Sequence, residues 1–195
     1  MSYDTHIAYI NSQDDIVDKH LRSIFSSIVK HVSYYNYSHS LHAIKNIPPY
    51  VASRFLITIL KFPAKDAISY IINHININPN QLSDDGLSIL MLLCDKLLDC
   101  RISDDIIMFI NKYKSEICFS YVAPDNHTAL TNVCSNGQTY VAETILNSTN
   151  DYNITHVSQC GSALDLAYDN SMDSVVEKIL DYYHKKTLNI NARVY

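Results

Sequence analysis

Apolar residues recur along this chain at helical spacing, in runs separated by short polar segments. Three runs share one register: Ser88 to Cys94, Thr128 to Cys134 and Ser162 to Tyr168. Each opens on Ser or Thr and has Leu at the third position (Leu90, Leu130, Leu164). Each then has a small or apolar residue near its end (Leu93, Val133, Ala167). The run from Arg54 to Leu60 is a fourth copy, with Leu56 and Ile59 in the same slots and Arg in place of the opening hydroxyl. The copies start at 54, 88, 128 and 162, so they are spaced by 34, 40 and 34 residues.

A second apolar run follows each first one: Ala67 to Ile72, Ile106 to Ile110, Tyr140 to Leu146 and Val175 to Leu180. Apolar residues at i, i+3 and i+4 place one stripe on one helical face. The opening Ser or Thr can accept hydrogen bonds from the orphan N–H groups of the first turn. The pattern predicts four helix–turn–helix units joined by extended polar stretches such as Asn76–Asn78 and Asp151–Asn153.

Residues 1–50 fall outside this register and are expected to form a helical N-terminal cap or a divergent first unit, ahead of an array over 51–195. Ser12 can cap a helix whose stripe includes Ile16, Leu21, Phe25 and Val32. Tyr34 to Ser38 reads as a break, and Leu41 to Ile44 as a short helix stopped by Pro48 and Pro49. At the other end, Leu188 to Ala192 reads as the start of a further hairpin, which leaves open a short array or a piece of a longer one.

Composition narrows the field. Of 195 residues, 47% are hydrophobic and 18% charged, which is ample for a core and excludes general disorder. Only 3 glycines and 5 prolines are present, where about 7% glycine is ordinary. Turn-dense β folds become poor candidates. Gly86, Gly137 and Gly161 are too far apart for a phosphate-cradling loop, which excludes glycine-fingerprint nucleotide enzymes. The net charge is -5 and the 15 Lys and Arg residues are scattered, so no basic stripe marks a nucleic-acid binder. No apolar run approaches the ~20 residues of a membrane span, and Met1 to Asp15 is polar rather than signal-like. Five cysteines without a CxxC pair point to free thiols in a reducing, cytoplasmic setting. The sequons at Asn36, Asn126, Asn147 and Asn153 are then background.

The repeated unit resembles the ankyrin repeat, whose period is about 33 residues. The copy at Thr128 carries Thr128, Leu130, Gly137, Val141, Ile145, Leu146, Asp151 and Asn153 in register. The copy at Ser88 has Asp84, Asp85 and Gly86 ahead of it, then a longer connection. The copy at Ser162 has Ser171 where Gly is usual, and the copy at Arg54 has Pro63 there. The family's usual Pro after Thr is absent throughout: Phe55, Ile89, Ala129 and Ala163 stand in that slot. The resemblance implies an all-α helical solenoid of about four to five degenerate repeats. The Leu-Cys and Val-Cys helix ends, the inserted loops and the Ile/Asn/Tyr bias are similar to ankyrin proteins of large DNA viruses, poxviruses especially.

Several residues invite chemistry. Cys94 and Cys134 share one slot, open to a metal pair or a thiol nucleophile, or to a small buried residue where the family has Ala. Cys100, Cys118 and Cys160 fall in loops. His39 and His42 are spaced i, i+3 but lack informative partners. Tyr34, Tyr35, Tyr37 and Tyr50 cluster, as an interface or as compositional drift. The resemblance implies that Asn78 and Asn153 hold their hairpins through the side chain.

In ankyrin arrays the hairpin tips and the ends of the first helices line the concave binding face. Carried over by slot, this implies Asp84, Asp85, Leu87, Asp95 and Lys96, then Asp125, His127, Ser135 and Asn136, then Ser158, Gln159, Asp169 and Asn170. Its aspartates make the face acidic, suited to a basic partner segment. The same residue type also caps hairpins and helices for its own backbone. The expected function is a non-catalytic protein-interaction module, a viral host-range or immune-modulating factor acting in the host cytoplasm. It is expected to use no cofactor or metal and to bind no nucleic acid, membrane or small-molecule substrate. The alternatives are a ubiquitin-ligase substrate adaptor without its F-box-like segment, and a small Cys/His hydrolase.

Overall fold

Among the described residues, eight helices form where the apolar stripes fall. The computed structural model describes residues 48–61, 65–95, 103–149 and 153–191. The chain divides into two units, Met1–Ser83 and Asp84–Tyr195.

In the first unit, α1 (Pro49–Ile59) packs on α2 (Lys65–His74). Pro48 stands at the N-cap of α1 and Pro49 at its first position. Proline suits the first helical position because its missing N–H would have no intrahelical partner. Arg54, expected at the start of this copy, therefore sits in mid-helix, where its carbonyl accepts from Thr58 Oγ1 at 2.9 Å. The Leu41–Ile44 segment and Pro63 lie outside the described residues, as does the rest of the expected N-terminal cap up to Ile47. Ser53 is buried and fixes the chain beyond α2, accepting from the Asn78 backbone N–H at 2.7 Å. Asn78 holds its own turn as expected, its Oδ1 accepting from the Asn80 N–H at 3.1 Å.

The described residues of the second unit form three helix pairs. These are α3 (Ile89–Asp95) with α4 (Ser103–Tyr113), α5 (Ala129–Ser135) with α6 (Thr139–Ser148), and α7 (Ala163–Asp169) with α8 (Asp173–Asn191). The first helices pack in a row, α3 on α5 and α5 on α7. The second helices do the same, α4 on α6 and α6 on α8. Fully buried Leu93, Phe109, Val133, Val141, Ile145, Ala167 and Ile179 fill the space between the rows. Before α7, β1 (Val157–Ser158) and β2 (Gly161–Ser162) form an antiparallel hairpin with Val157 opposite Ser162 and Ser158 opposite Gly161.

The hydroxyl residues cap as the sequence predicts. Ser88 Oγ accepts from the Met91 N–H at 3.3 Å. Thr128 and Thr131 form a reciprocal capping box at α5, and Ser162 with Asp165 form one at α7. The α5 and α7 ends also match. Gln138 N–H reaches the Val133 carbonyl at 2.9 Å, and Met172 N–H reaches that of Ala167 at 2.9 Å. The C′ residues between are left-handed, Gly137 at φ 65° and Ser171 at φ 56°. Ser171 thus takes the backbone conformation that Gly137 has at the end of α5. One expectation fails: α8 runs on through Leu188–Asn191, where the sequence pattern suggested a new hairpin. Lys and Thr at 185–187 give the helix no stop signal, so it continues.

Candidate functional site: the hairpin tips and first-helix ends

All the expected contact residues belong to the second unit. Asp84 and Asp85 are exposed in the turn before α3, with Leu87 half-buried beside them. Gly86 separates them at φ 76°. A Cβ there would lie 2.7 Å from Pro124 Cγ, so the turn admits no side chain. In the corresponding turn before α5, Asn126 adopts the same left-handed conformation, φ 64°. Asp125 is exposed, and its Oδ1 accepts from the His127 N–H at 3.2 Å. That bond is an Asx turn, so Asp125 shapes its own loop and still presents a carboxylate.

Four side chains from three segments converge here. Asp95 closes α3, and its Oδ1 accepts from Asn132 Nδ2 of α5 at 2.7 Å. Desolvation pushes the Asp95 carboxyl above the usual range, and the Asp125 charge adds to this. The Asn132 hydrogen bond and His127 pull the other way. His127 is half-buried, and its Nδ1 is buried without a hydrogen-bond partner. A cation placed between Asp95 and Asp125 would relieve their mutual repulsion, so the arrangement is suited to a Lys or Arg side chain.

Asn132 was not among the residues expected from sequence. Its signal was a polar residue in the slot that holds Leu92 in α3 and Leu166 in α7. Two further unforeseen residues space the tips. Tyr121 OH donates to the Gly86 carbonyl at 2.7 Å. His156 Nε2 lies 2.9 Å from the Asn126 carbonyl, which makes Nε2–H the donor. Both bonds end on the carbonyl of the left-handed tip residue. Asn126 Nδ2 completes the link at the second tip, donating to Val157 O at 3.2 Å.

The other expected residues have varied surroundings. Lys96 lies outside the described residues. Ser135, Asn136, Gln159 and Asp169 are exposed. Asn170 is exposed but engaged, its Nδ2 donating to Leu166 O and Cys134 O, both at 3.0 Å. It ties the end of α7 to the end of α5. Ser158 is buried at 6% exposure, and its hydroxyl donates to Gly161 O at 2.8 Å, so it serves the hairpin and not the surface. Asn153 holds its turn through the backbone, with φ 46° and its carbonyl accepting from the His156 N–H at 2.9 Å.

Cys94 and Cys134 are fully buried. Burial raises the Cys94 thiol far above its ordinary value, with Asp95 adding to the effect, and pushes Cys134 up to about 12. An activated thiol requires the opposite shift. Cys118 and Cys160 are exposed. Cys100, His39, His42, Tyr34, Tyr35 and Tyr37 lie outside the described residues. Among the described residues, no group of three or more His, Cys, Asp or Glu side chains is placed to hold a metal ion. No described helix is long and apolar enough to cross a membrane. No family model matches the chain, and no curated protein matches its sequence.

Proposed function

We propose that the chain is an ankyrin-type helical solenoid acting as a non-catalytic protein-interaction module, with its acidic tip face docking a basic segment of a protein partner. The observation that carries this reading is the convergence of Asp95, Asp125, His127 and Asn132 from separate segments. The tips that present them are spaced by the Tyr121–Gly86 and His156–Asn126 hydrogen bonds, so the docking face is pre-ordered. Buried, proton-retaining Cys94 and Cys134 favour a binder over a Cys/His hydrolase. The sequence resemblance to ankyrin proteins of large DNA viruses supports a host cytoplasmic protein as the partner and a host-range or immune-modulating role.

The test is affinity capture from host-cell cytosol with the wild-type chain and with Asp85→Lys/Asp95→Lys/Asp125→Lys. Circular dichroism checks that the variant is folded. Loss of the captured partner in the folded variant is the expected outcome. Equal capture by both chains would sink the acidic-face reading.

A further inference from the structure

The outward face of the α7–α8 pair exposes apolar side chains in slots that the preceding pair buries. Tyr168 is 75% exposed, whereas Cys134 and Cys94 in the same slot are at 0%. Leu180 is 43% exposed, whereas its counterpart Leu146 in α6 is at 8%. Leu164 and Val176 are half-buried, whereas their counterparts Leu130 and Ala142 are buried. In the preceding pair these positions are covered as α5 packs on α7 and α6 on α8. Each of the two helices thus presents an apolar i, i+4 pair, Leu164 with Tyr168 and Val176 with Leu180.

The border of that face is acidic. At about 100° per residue, Asp165 and Asp169 flank the Leu164–Tyr168 stripe on α7. On α8, Glu177 and Asp181 flank Val176 and Leu180 in the same way, and all four carboxylates belong to exposed residues. A second copy docked face to face would set these acidic rims against each other, which disfavours self-association through the same patch. The complementary occupant has an apolar stripe and a cationic rim.

We propose that the α7–α8 face is a second docking surface, which takes an amphipathic helix of a partner protein. The helix lays its apolar side on Tyr168 and Leu180 and sets Lys or Arg against the flanking carboxylates. An exposed aromatic ring beside carboxylates also suits Arg, which can stack on the ring while pairing with the charge. This surface includes none of Asp95, Asp125, His127 and Asn132, and of the expected contact residues it shares only Asp169.

The probe is a fluorescent Leu/Lys amphipathic helical peptide, with a Leu/Glu peptide of the same pattern as control. Binding is measured by anisotropy on the full chain at low and high salt. The Leu/Lys peptide should bind the wild-type chain with strong salt dependence, and the Leu/Glu peptide should not bind. Tyr168→Arg/Leu180→Arg should weaken Leu/Lys binding at least tenfold, while Asp85→Lys/Asp95→Lys/Asp125→Lys should retain most of it. Loss only in the triple-lysine variant would overturn the proposal and leave the tip face as the site. A concentration-dependent dimer abolished by Tyr168→Arg/Leu180→Arg would overturn it in favour of a second copy. A marked fall in melting temperature for Tyr168→Ala/Leu180→Ala would also overturn it, because the chain itself would then already cover the face.

Discussion

The α5–α6 and α7–α8 pairs are built to one plan and end in different surroundings. Both first helices carry reciprocal capping boxes, and both end on left-handed C′ residues with matching 2.9 Å closing bonds. Yet the third residue of the α5 box, Thr131, is buried, while that of α7, Asp165, is exposed. Cys134 is buried and Tyr168 is open. Identical local geometry therefore coexists with opposite environments, and the difference lies in whether another helix packs against the outer face. A slot that α7 covers demands a small apolar residue, because packed interiors leave no spare volume. The uncovered slot tolerates the largest residue of the two helices.

Exchanging residues between the two slots should break that contrast most strongly. Cys134→Tyr forces a ring into the packed α5–α7 interface and should cost about 3 kcal/mol or more. Tyr168→Cys should change stability little, since surface substitutions usually stay within about 0.5 kcal/mol. Urea unfolding of both variants measures this, and equal effects would erase the distinction between covered and open slots.

The capping boxes provide the next test. Thr131→Ala leaves the Thr128 N–H without its side-chain acceptor in a buried site and should cost about 1–2 kcal/mol. Asp165→Ala should cost less, because water can replace the bond. It should also lose its effect in acid. The Ser162 hydroxyl and N–H hold the Asp165 carboxyl below its ordinary range. Its contribution is present above the unfolded-state value and fades as pH falls through the depressed folded one. Melting curves of wild type and variant should therefore converge in acid.

The C′ residues should respond in opposite directions. Gly137→Ala places a side chain at φ 65° and should cost about 1 kcal/mol, whereas Ser171→Gly removes one at φ 56° and should gain up to about 1 kcal/mol.

The smallest expected effect on stability is at Asp95. Its carboxyl is raised chiefly by desolvation, so ionisation is penalised in the folded chain, and that penalty disappears as pH falls below the unfolded-state value. Asp95→Asn should leave the melting temperature at neutral pH unchanged or slightly higher, while weakening capture of a basic partner. A clear loss of stability would show that Asp95 is structural.

Much of the fold was legible because its signals are local. Ser88, Thr128 and Ser162 open their helices as predicted, and the four second runs all fall in helices. One misreading has a local cause too: α8 lacked a stop signal at Leu188. The candidate site was legible only by slot. Asp95, Asp125 and His127, expected by slot on one face, influence one another electrostatically, but Asn132, Tyr121 and His156 were missed. Their partners lie 30–37 residues away in sequence. Ser158 occupied a contact slot by alignment and turned inward to bond its own hairpin.

The sequence by itself determined the helices, their caps and the left-handed turns, since each depends on a few adjacent residues and their backbone preferences. Only the tertiary structure decided what those helices face. It buried Cys94 and Cys134 and raised their thiols, drew Asp95 and Asp125 together, and left Tyr168 and Leu180 open. Burial and charge coupling depend on distance in space. The residues responsible are a full helix pair apart along the chain, beyond the reach of any local pattern.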